Sequence, residues 1–488
     1  MRLNWNRWIF ASCALWLAAG AGRGAEAATV PVLQSRDFGR AAATVPAGSR
    51  LRLEGVQGDG EAVAFSLERF EVFASDARIT IHGDGGDQVL PAPANAYFRG
   101  VVEGKPESRV FLARLADGSA EGLVHDAGGD YLIGGDDAPV KALGTPLEMR
   151  RVEPALLKSG RSGFACAQDQ LPKGPGNTLP KTLDLGDVAA VSAPDLQKAV
   201  ATRTARVAIE TDFEFYQKFN NSATATTYIG NLIGYISTIY TAELSTSLVV
   251  QSVSLWTTSS DPWNQTSGTL CGLMEFGYYW NKNKTGVSRT IAHFLSGKSL
   301  GGGVAWLGVL CSGAFNTTAN CPGLATDAAW GGGYGFTASI SGGFNINNPA
   351  VVWDSMAVAH EIGHNFDSPH GHCYNGVGGN ASPIDQCYSG ESGCYSGATS
   401  LPGPAGAGSG TIMSYCHLVR GSYSDISMSF GTNFAYGVQP GREVALMNSY
   451  VNGVASSNPS CMALVNTGLL VDGFEGGALP GPWSGKTP

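Results

Sequence analysis

Apolar and polar positions change rhythm twice along the chain. From residue 28 to about 165 they alternate. Arg78-Ile79-Thr80-Ile81-His82 does so cleanly, Ala62 to Phe73 less regularly, and Arg109 to Leu115 runs into a turn at Asp117-Gly118. Period-two alternation broken by Gly-containing turns predicts half-buried β-strands, so this stretch reads as a β-rich domain. Residues 167–204 hold Pro172, Gly174, Pro175, Gly176 and Pro180 and then a polar, Ala-rich run. No core pattern is visible there, and the stretch reads as a linker or processing region. From about 205 strands and helices alternate. Arg206 to Asp212 predicts a strand, and Tyr228, Ile229, Leu232, Ile233, Ile236 and Ile239 recur at the spacing of a long amphipathic helix. Leu248 to Trp256 predicts a second strand. Leu270, Leu273, Phe276, Gly277 and Trp280 predict a second helix. Thr290 to Leu295 and Gly303 to Leu310 predict two more strands, and Asn348-Pro349 opens a helix running to about Phe366. The aromatic and Ile stripes read as core. From Met462 onward the chain is Gly- and Pro-rich, a tail to which no function is assigned.

The chemistry sits on that last helix. His360 and His364 are four residues apart, which places both imidazoles on one helix face, one turn apart and close enough to share a metal. Glu361 beside them can reach a water on that metal without ligating it, the arrangement of an HExxH zinc site. Two His on one face also suit a helix that is merely packed. His370 weighs against that reading. It lies six residues beyond His364, too far along a continuing helix to share the metal, so the helix must stop and the chain turn back. Asn365 to Ser368 and Pro369 suit such a turn. Three His with one open position is the catalytic rather than the structural zinc pattern.

Downstream stands Gly410-Thr411-Ile412-Met413-Ser414-Tyr415. Together these residues resemble the metzincin signature, HExxHxxGxxH followed by a Met-turn. His360-Glu361-Ile362-Gly363-His364-Asn365-Phe366 is most similar to the adamalysin (reprolysin) branch. One position departs: Asp367 stands where the family has Gly. The turn calls for left-handed backbone, which Asp tolerates better than most non-Gly residues. The resemblance covers about 205–461. It implies an α/β (α+β) metzincin-type catalytic domain, with a twisted mixed sheet and an active-site helix, preceded by the β-rich prodomain at 28–166. The stretch from Ala96-Tyr97-Phe98-Arg99-Gly100 to Gly122-Leu123-Val124 resembles the propeptide of reprolysin-like proteases.

The same resemblance implies one catalytic Zn2+ held by His360, His364 and His370, with Glu361 as general base and Met413 as a hydrophobic floor under the imidazoles. It also implies that the strand at 303–310 pairs with extended peptide substrate, Gly308 permitting close approach. Tyr415 has two readings. In astacins and serralysins a Tyr at this spacing stabilises the transition state, whereas reprolysins commonly lack it, and a packed, hydrogen-bonded Tyr also fits. His372 and His417 read as non-ligands, since three ligands suffice.

Composition narrows the setting. The chain has 488 residues, room for two or three domains. A net charge of -9 without a long basic run argues against nucleic acid as a partner. Residues 1–27 fit a secretory signal, with Arg2 and Arg7, an apolar run from Trp8 to Ala19, and Ala25-Glu26-Ala27 as cleavage site. That run is too short for a comfortable membrane anchor, and no later segment has about 18 uninterrupted apolar residues. The expectation is a secreted protein without a transmembrane segment in its mature form.

Export gives the cysteines meaning. Cys13 leaves with the signal, and eight of the nine that remain lie between 271 and 461, which suggests four disulfides. Short separation favours Cys311–Cys321 and Cys387–Cys394. Cys166 stands apart, before the linker. It reads as a free buried thiol, as half of an intermolecular disulfide, or as a cysteine switch whose thiolate takes the open zinc position. Phe164-Ala165-Cys166-Ala167 loosely resembles the propeptide motif with which reprolysin-like proteases do this. The expected function is a secreted zinc-dependent metalloendopeptidase acting on proteins or peptides and made as a latent precursor. The alternative is a catalytically inactive, zinc-containing binding or adhesion protein on the same fold; Glu361 argues against it, because a dead site needs no such carboxylate.

Overall fold

The computed structural model describes residues 30–135, 144–157, 164–179, 202–317, 319–324 and 329–464. The expected signal, much of the processing region and most of the tail lie outside the described residues.

The alternating N-terminal stretch builds one mostly antiparallel sheet. Its strands are β1 (Val32–Gln34), β2 (Arg50–Gln57), β3 (Ala62–Phe70), β6 (Ala96–Val102), β7 (Lys105–Arg114), β8 (Ala120–Asp126), β9 (Gly129–Ile133) and β10 (Met149–Arg151), side by side in that order. The two strands missing from this count, β4 (Phe73–Gly83) and β5 (Gly86–Leu90), leave it and join the second sheet. This explains the imperfect alternation of Ala62 to Phe73, because the chain crosses between sheets at Glu71-Val72.

The second sheet runs β14 (Gly303–Ala305), β15 (Tyr334–Thr337), β13 (Ile291–Leu295), β11 (Arg203–Thr211), β12 (Thr246–Trp256), β4, β5, with β16 (Ala463–Leu464) against the start of β11. Its centre is parallel, from β4 through β12, β11 and β13 to β15, and β14 and β5 close its two ends antiparallel. Parallel neighbours need long crossovers. Helix α1 (Ser222–Leu244) supplies the one between β11 and β12, and α2 (Thr269–Asn283) lies between β12 and β13. The active-site helix α3 (Ala350–Asn365) follows, and α4 (Gly441–Ser457) closes the domain.

Helix α1 begins where the Asn221 side chain accepts from the Thr224 N–H, an N-cap. Sequence spacing predicts an amphipathic helix, yet α1 is buried from Ala225 to Leu244 except at Thr227. The face that would meet solvent is covered by residues of the N-terminal region, from both β4 and the first sheet. Gly230 and Gly234 leave room there for Phe73, Tyr97 and Phe111, whose rings a Cβ would strike. At the end of α1, Glu243 pairs with Arg109 of β7 in a buried ion pair and also accepts from Phe430 N at 3.0 Å. The N-terminal region is therefore bound to the catalytic sheet and to α1 by strand pairing, core packing and a buried charge pair.

All eight cysteines after Cys166 are bonded, but not as proximity in sequence suggests. The pairs are Cys271–Cys321, Cys311–Cys461, Cys373–Cys394 and Cys387–Cys416. Cys311 sits beside Cys461, its N–H bonded to Thr290 O next to the Arg289 carbonyl that Cys461 Sγ meets, and Cys321 pairs instead with Cys271. No helix among the described residues is long and apolar enough to cross a membrane.

Candidate active site

Helix α3 is buried along its whole length, so its polar residues must find partners or serve a purpose. It stops where the sequence predicts. Ser368 N bonds to Gly363 O and Asp367 N to His364 O, and Asp367 has φ +74°. This is a Schellman ending with Asp in the left-handed position usually given to Gly. The turn sends the chain back so that His370 faces His360 and His364. The three ring centroids lie 4.7–5.1 Å apart.

Each Nδ1 is occupied away from the others. His360 Nδ1 meets Ile412 O at 2.8 Å, His364 Nδ1 meets Ser368 O at 2.7 Å, and His370 Nδ1 meets Glu391 Oε2 at 2.6 Å. Because these partners accept, each Nδ1 carries the proton and each Nε2 presents a lone pair. The Nε2 atoms of His360 and His370 are buried without a protein partner. Burial lowers the pKa of His364 to about 3, and burial with the neighbouring imidazoles lowers that of His360, so both stay neutral. Three imidazole nitrogens and the Cys166 sulfur come within 4.8 Å of one another. Orphaned nitrogens, fixed tautomers and a donor set of imidazole nitrogens with one sulfur fit a divalent metal of the zinc type.

Around this cluster lie the other residues singled out from sequence. Glu361 has Oε2 3.3 Å from Cys166 Sγ, and its Oε1 is buried without a partner. Burial pushes its pKa well above the usual carboxylate range. Cys166 Sγ also lies 3.4 Å from His364 Nε2, and burial, then the nearby Glu361 carboxylate, raise its pKa. Met413 is fully buried beneath Gly363, where a Cβ would strike its sulfur. Tyr415 packs 4.5 Å from the His370 ring and donates through its hydroxyl to Cys166 O at 2.8 Å.

The stretch read as a featureless linker begins inside the cleft. Phe164, Cys166, Ala167, Gln168 and Leu171 are buried, Ala167 N donates to Gly303 O at 2.9 Å, and Leu307 N donates to Gly176 O at 2.6 Å. These residues have no periodicity because, apart from one turn of 3-10 helix at Gln168–Gln170, contacts with the surrounding site fix them. The adjoining edge strand is shorter than expected. After Ala305 the chain turns, and Gly308 N and Val309 N bond to His364 O and Asn365 O at the end of α3.

Sequence reasoning missed Glu391. Its carboxylate bridges His370 Nδ1 and His372 Nε2, the latter at 2.9 Å. Burial opposes its charge, but its interactions with the two imidazoles, His370 first and then His372, outweigh this and hold it below the usual carboxylate range. The disulfide Cys373–Cys394 ties the two segments together. The one signal available was that Glu391 is the sole charged residue between Cys387 and Cys394. His372 stacks on His370 at 5.1 Å and shares Glu391 with it, while His417 faces Phe164 O at 2.9 Å.

Residues 201–424 match the family model described as Metallo-peptidase family M12 (Reprolysin_5). This span, somewhat under half of the chain, is similar to metallopeptidase family M12. The matched span holds the whole of α3, His370, Glu391, Met413 and Tyr415. Among solved structures, metalloproteinase-II from Bacteroides fragilis aligns with 70% of this chain and 88% of its own, at 12% identity and a TM-score of 0.32. A chain from a chaperone–substrate complex aligns over 36% of this chain and 26% of its own, at 11% identity and a TM-score of 0.25. No curated protein matches the chain.

Proposed function

We propose that this protein is a secreted zinc metalloendopeptidase of M12 type made as a latent precursor, with residues 28–166 as prodomain, 167–204 as processing region and 205–461 as catalytic domain. The observation that carries the reading is the convergence of three imidazole Nε2 atoms and the Cys166 thiol on one buried point, with Glu361 beside it. His360, His364 and His370 would hold the ion. Zinc, when bound, supplies a Lewis acid that polarises the scissile carbonyl and brings the pKa of water down to about 7.

The rest falls to the chain itself. Glu361 accepts a proton from the attacking water and returns it to the leaving amine. Its raised pKa in the covered cleft suits a group that must hold a proton between those steps. Tyr415 directs its hydroxyl at a backbone carbonyl in the cleft, a donor placed to stabilise an oxyanion. Met413 supports the turn of helix under the imidazoles. Cys166 occupies the fourth position of the cluster. Beside a bound cation it would lose its proton and serve as a ligand despite burial, which would make it the latch.

The test is made on the purified full chain. Stoichiometric zinc, casein cleavage after mercurial treatment, loss of cleavage with chelator, and cleavage by Cys166→Ala without mercurial are expected. A zinc-loaded Cys166→Ala chain that cleaves only after mercurial treatment would remove Cys166 as the latch. A zinc-loaded chain that never cleaves would favour the inactive binding protein.

A further inference from the structure

A helix on the surface of a globular protein turns a polar face to solvent. Helix α1 has no such face, for no Asp, Glu, Lys or Arg stands between Lys218 and Glu243. One side of α1 supports the helix that bears the metal cluster. Tyr240 donates to Ala359 O of α3 at 2.9 Å, and Tyr228 to Asp354 Oδ2 at 2.5 Å. The other side lies against the N-terminal region. Val72 and Phe111 fill the space over Gly234, and Phe73 and Tyr97 fill that over Gly230. Three polar groups on this side find partners there: Asn231 donates to Glu121 at 2.6 Å, Thr241 accepts from Arg99 at 2.9 Å, and Glu243 pairs with Arg109.

The sheet is joined in the same way. Strand β12 has β11 on one side and β4 on the other, with Val253 beside Ile79, Leu255 beside Ile81 and Trp256 beside His82. The His82 ring stacks on Trp256 at 4.1 Å. Phe73, Ile79 and Phe111 share one continuous core with Ile229, Ile233 and Val253. An interface that resembles a core cut in half is that of an obligate complex. Taking the N-terminal region away would bare an apolar helix face and an unpaired edge on β12, a surface that aggregates. The segment over the metal cluster is held separately. Tyr415 OH donates to Cys166 O at 2.8 Å and Ala167 N to Gly303 O at 2.9 Å, and these contacts share no residue with those on α1 and β12.

We propose that residues 30–157 are a permanent part of the enzyme, docked on α1 and β12 after the chain is cut. A cut within 167–204 then yields a two-chain complex and not a free catalytic domain. Cys166 remains joined to the docked region, and this tether keeps its thiol at high effective concentration over the metal cluster. The cut alone therefore leaves the enzyme latent, and the segment around Cys166 must be displaced in its own right. The inference rests on reading 167–204 as the place of processing and Cys166 as the latch.

The test uses the zinc-loaded full chain with the recognition sequence of a specific protease placed within 180–201, cut to completion. Both pieces should elute as one gel-filtration peak at nanomolar concentration, at the volume of the uncut chain. Residues 30–204 hold no Trp, so tryptophan fluorescence reports on the catalytic piece. The pieces should part only in urea that also abolishes its native fluorescence. An N-terminal piece that leaves while the other keeps that fluorescence overturns the proposal. In a cut Cys166→Ala chain, casein cleavage should run with the two-chain peak; cleavage confined to a free catalytic piece overturns it as well. Arg109→Met, which removes the buried cation, should lower the urea concentration at which the pieces part, with casein cleavage lost at the same point. Cleavage that outlasts separation counts against permanence. The readings beneath the proposal fail differently. A cut parent chain that co-elutes and cleaves casein without mercurial upholds the docking and overturns Cys166 as the latch. A co-eluting Cys166→Ala chain that cleaves nothing upholds the docking and overturns the peptidase reading.

Discussion

Asp367 offers a stability prediction that can be worked from the structure. It sits at φ +74° and its carboxyl lies over Gly308, where there is no room for a Cβ. Burial raises its pKa from 3.8 to about 7. Replacing it by Gly relieves about 1 kcal/mol of left-handed strain and gives back about 0.5–1 kcal/mol in unfolded-chain entropy, so the backbone effects nearly cancel. The carboxyl does not cancel. Since the native pKa is above the unfolded one, the native state keeps a proton that the unfolded chain has already released. The group's contribution is fully present below about pH 4 and is lost as pH rises towards 7. Each tenfold difference in proton affinity between the two states is worth about 1.4 kcal/mol. Asp367→Gly should therefore gain about 1–2 kcal/mol at pH 5 and about 3–4 kcal/mol at pH 8. Urea unfolding of both proteins at the two pH values reads the difference, with casein turnover as a control that should not change. A destabilised variant at pH 8, or a gain independent of pH, would refute the reasoning. Collapse of turnover with zinc still bound would show that the carboxylate serves the metal site.

Three further outcomes follow from the site and its supports. Glu361→Gln should keep stoichiometric zinc and lower kcat by several orders of magnitude, whereas His364→Ala should lose the metal; metal analysis beside casein kinetics separates them. Glu391→Gln should weaken zinc binding about 10- to 100-fold in a chelator competition, because His370 loses the carboxylate that orients it, and unchanged affinity would remove Glu391 from the site. Arg109→Met leaves Glu243 buried without its cation and should cost about 3–5 kcal/mol in urea unfolding; a cost under about 1 kcal/mol would mean that the pair does not bind the N-terminal region to α1.

What could be read from sequence was what local spacing controls. Strands β11, β12 and β13, helices α1 to α3, the two His one turn apart, the stop after Asn365 and the left-handed Asp367 all depend on neighbours a few residues away, whereas β15 and α4 went unread and the strand expected over 303–310 ends at Ala305. What escaped depends on contacts across the fold. Glu391 reaches His370 from 21 residues on, through a loop closed by Cys373–Cys394. Cys311 pairs 150 residues away with Cys461 because strand order, not separation, brings them together. Strands β4 and β5 look like their neighbours in pattern, and nothing in alternation says which sheet an edge will join. Leu171 looks like a stray apolar residue in a linker until the surface that buries it is in view.

The central claim is that a zinc ion sits among His360, His364 and His370 with Cys166 as its fourth ligand. X-ray absorption at the zinc edge of the purified full chain tests it directly. The account predicts one sulfur at about 2.3 Å and three imidazole nitrogens at about 2.0 Å, with the sulfur lost in Cys166→Ala. A spectrum with only nitrogen and oxygen neighbours would contradict the latch, and a chain that binds no zinc would contradict the site.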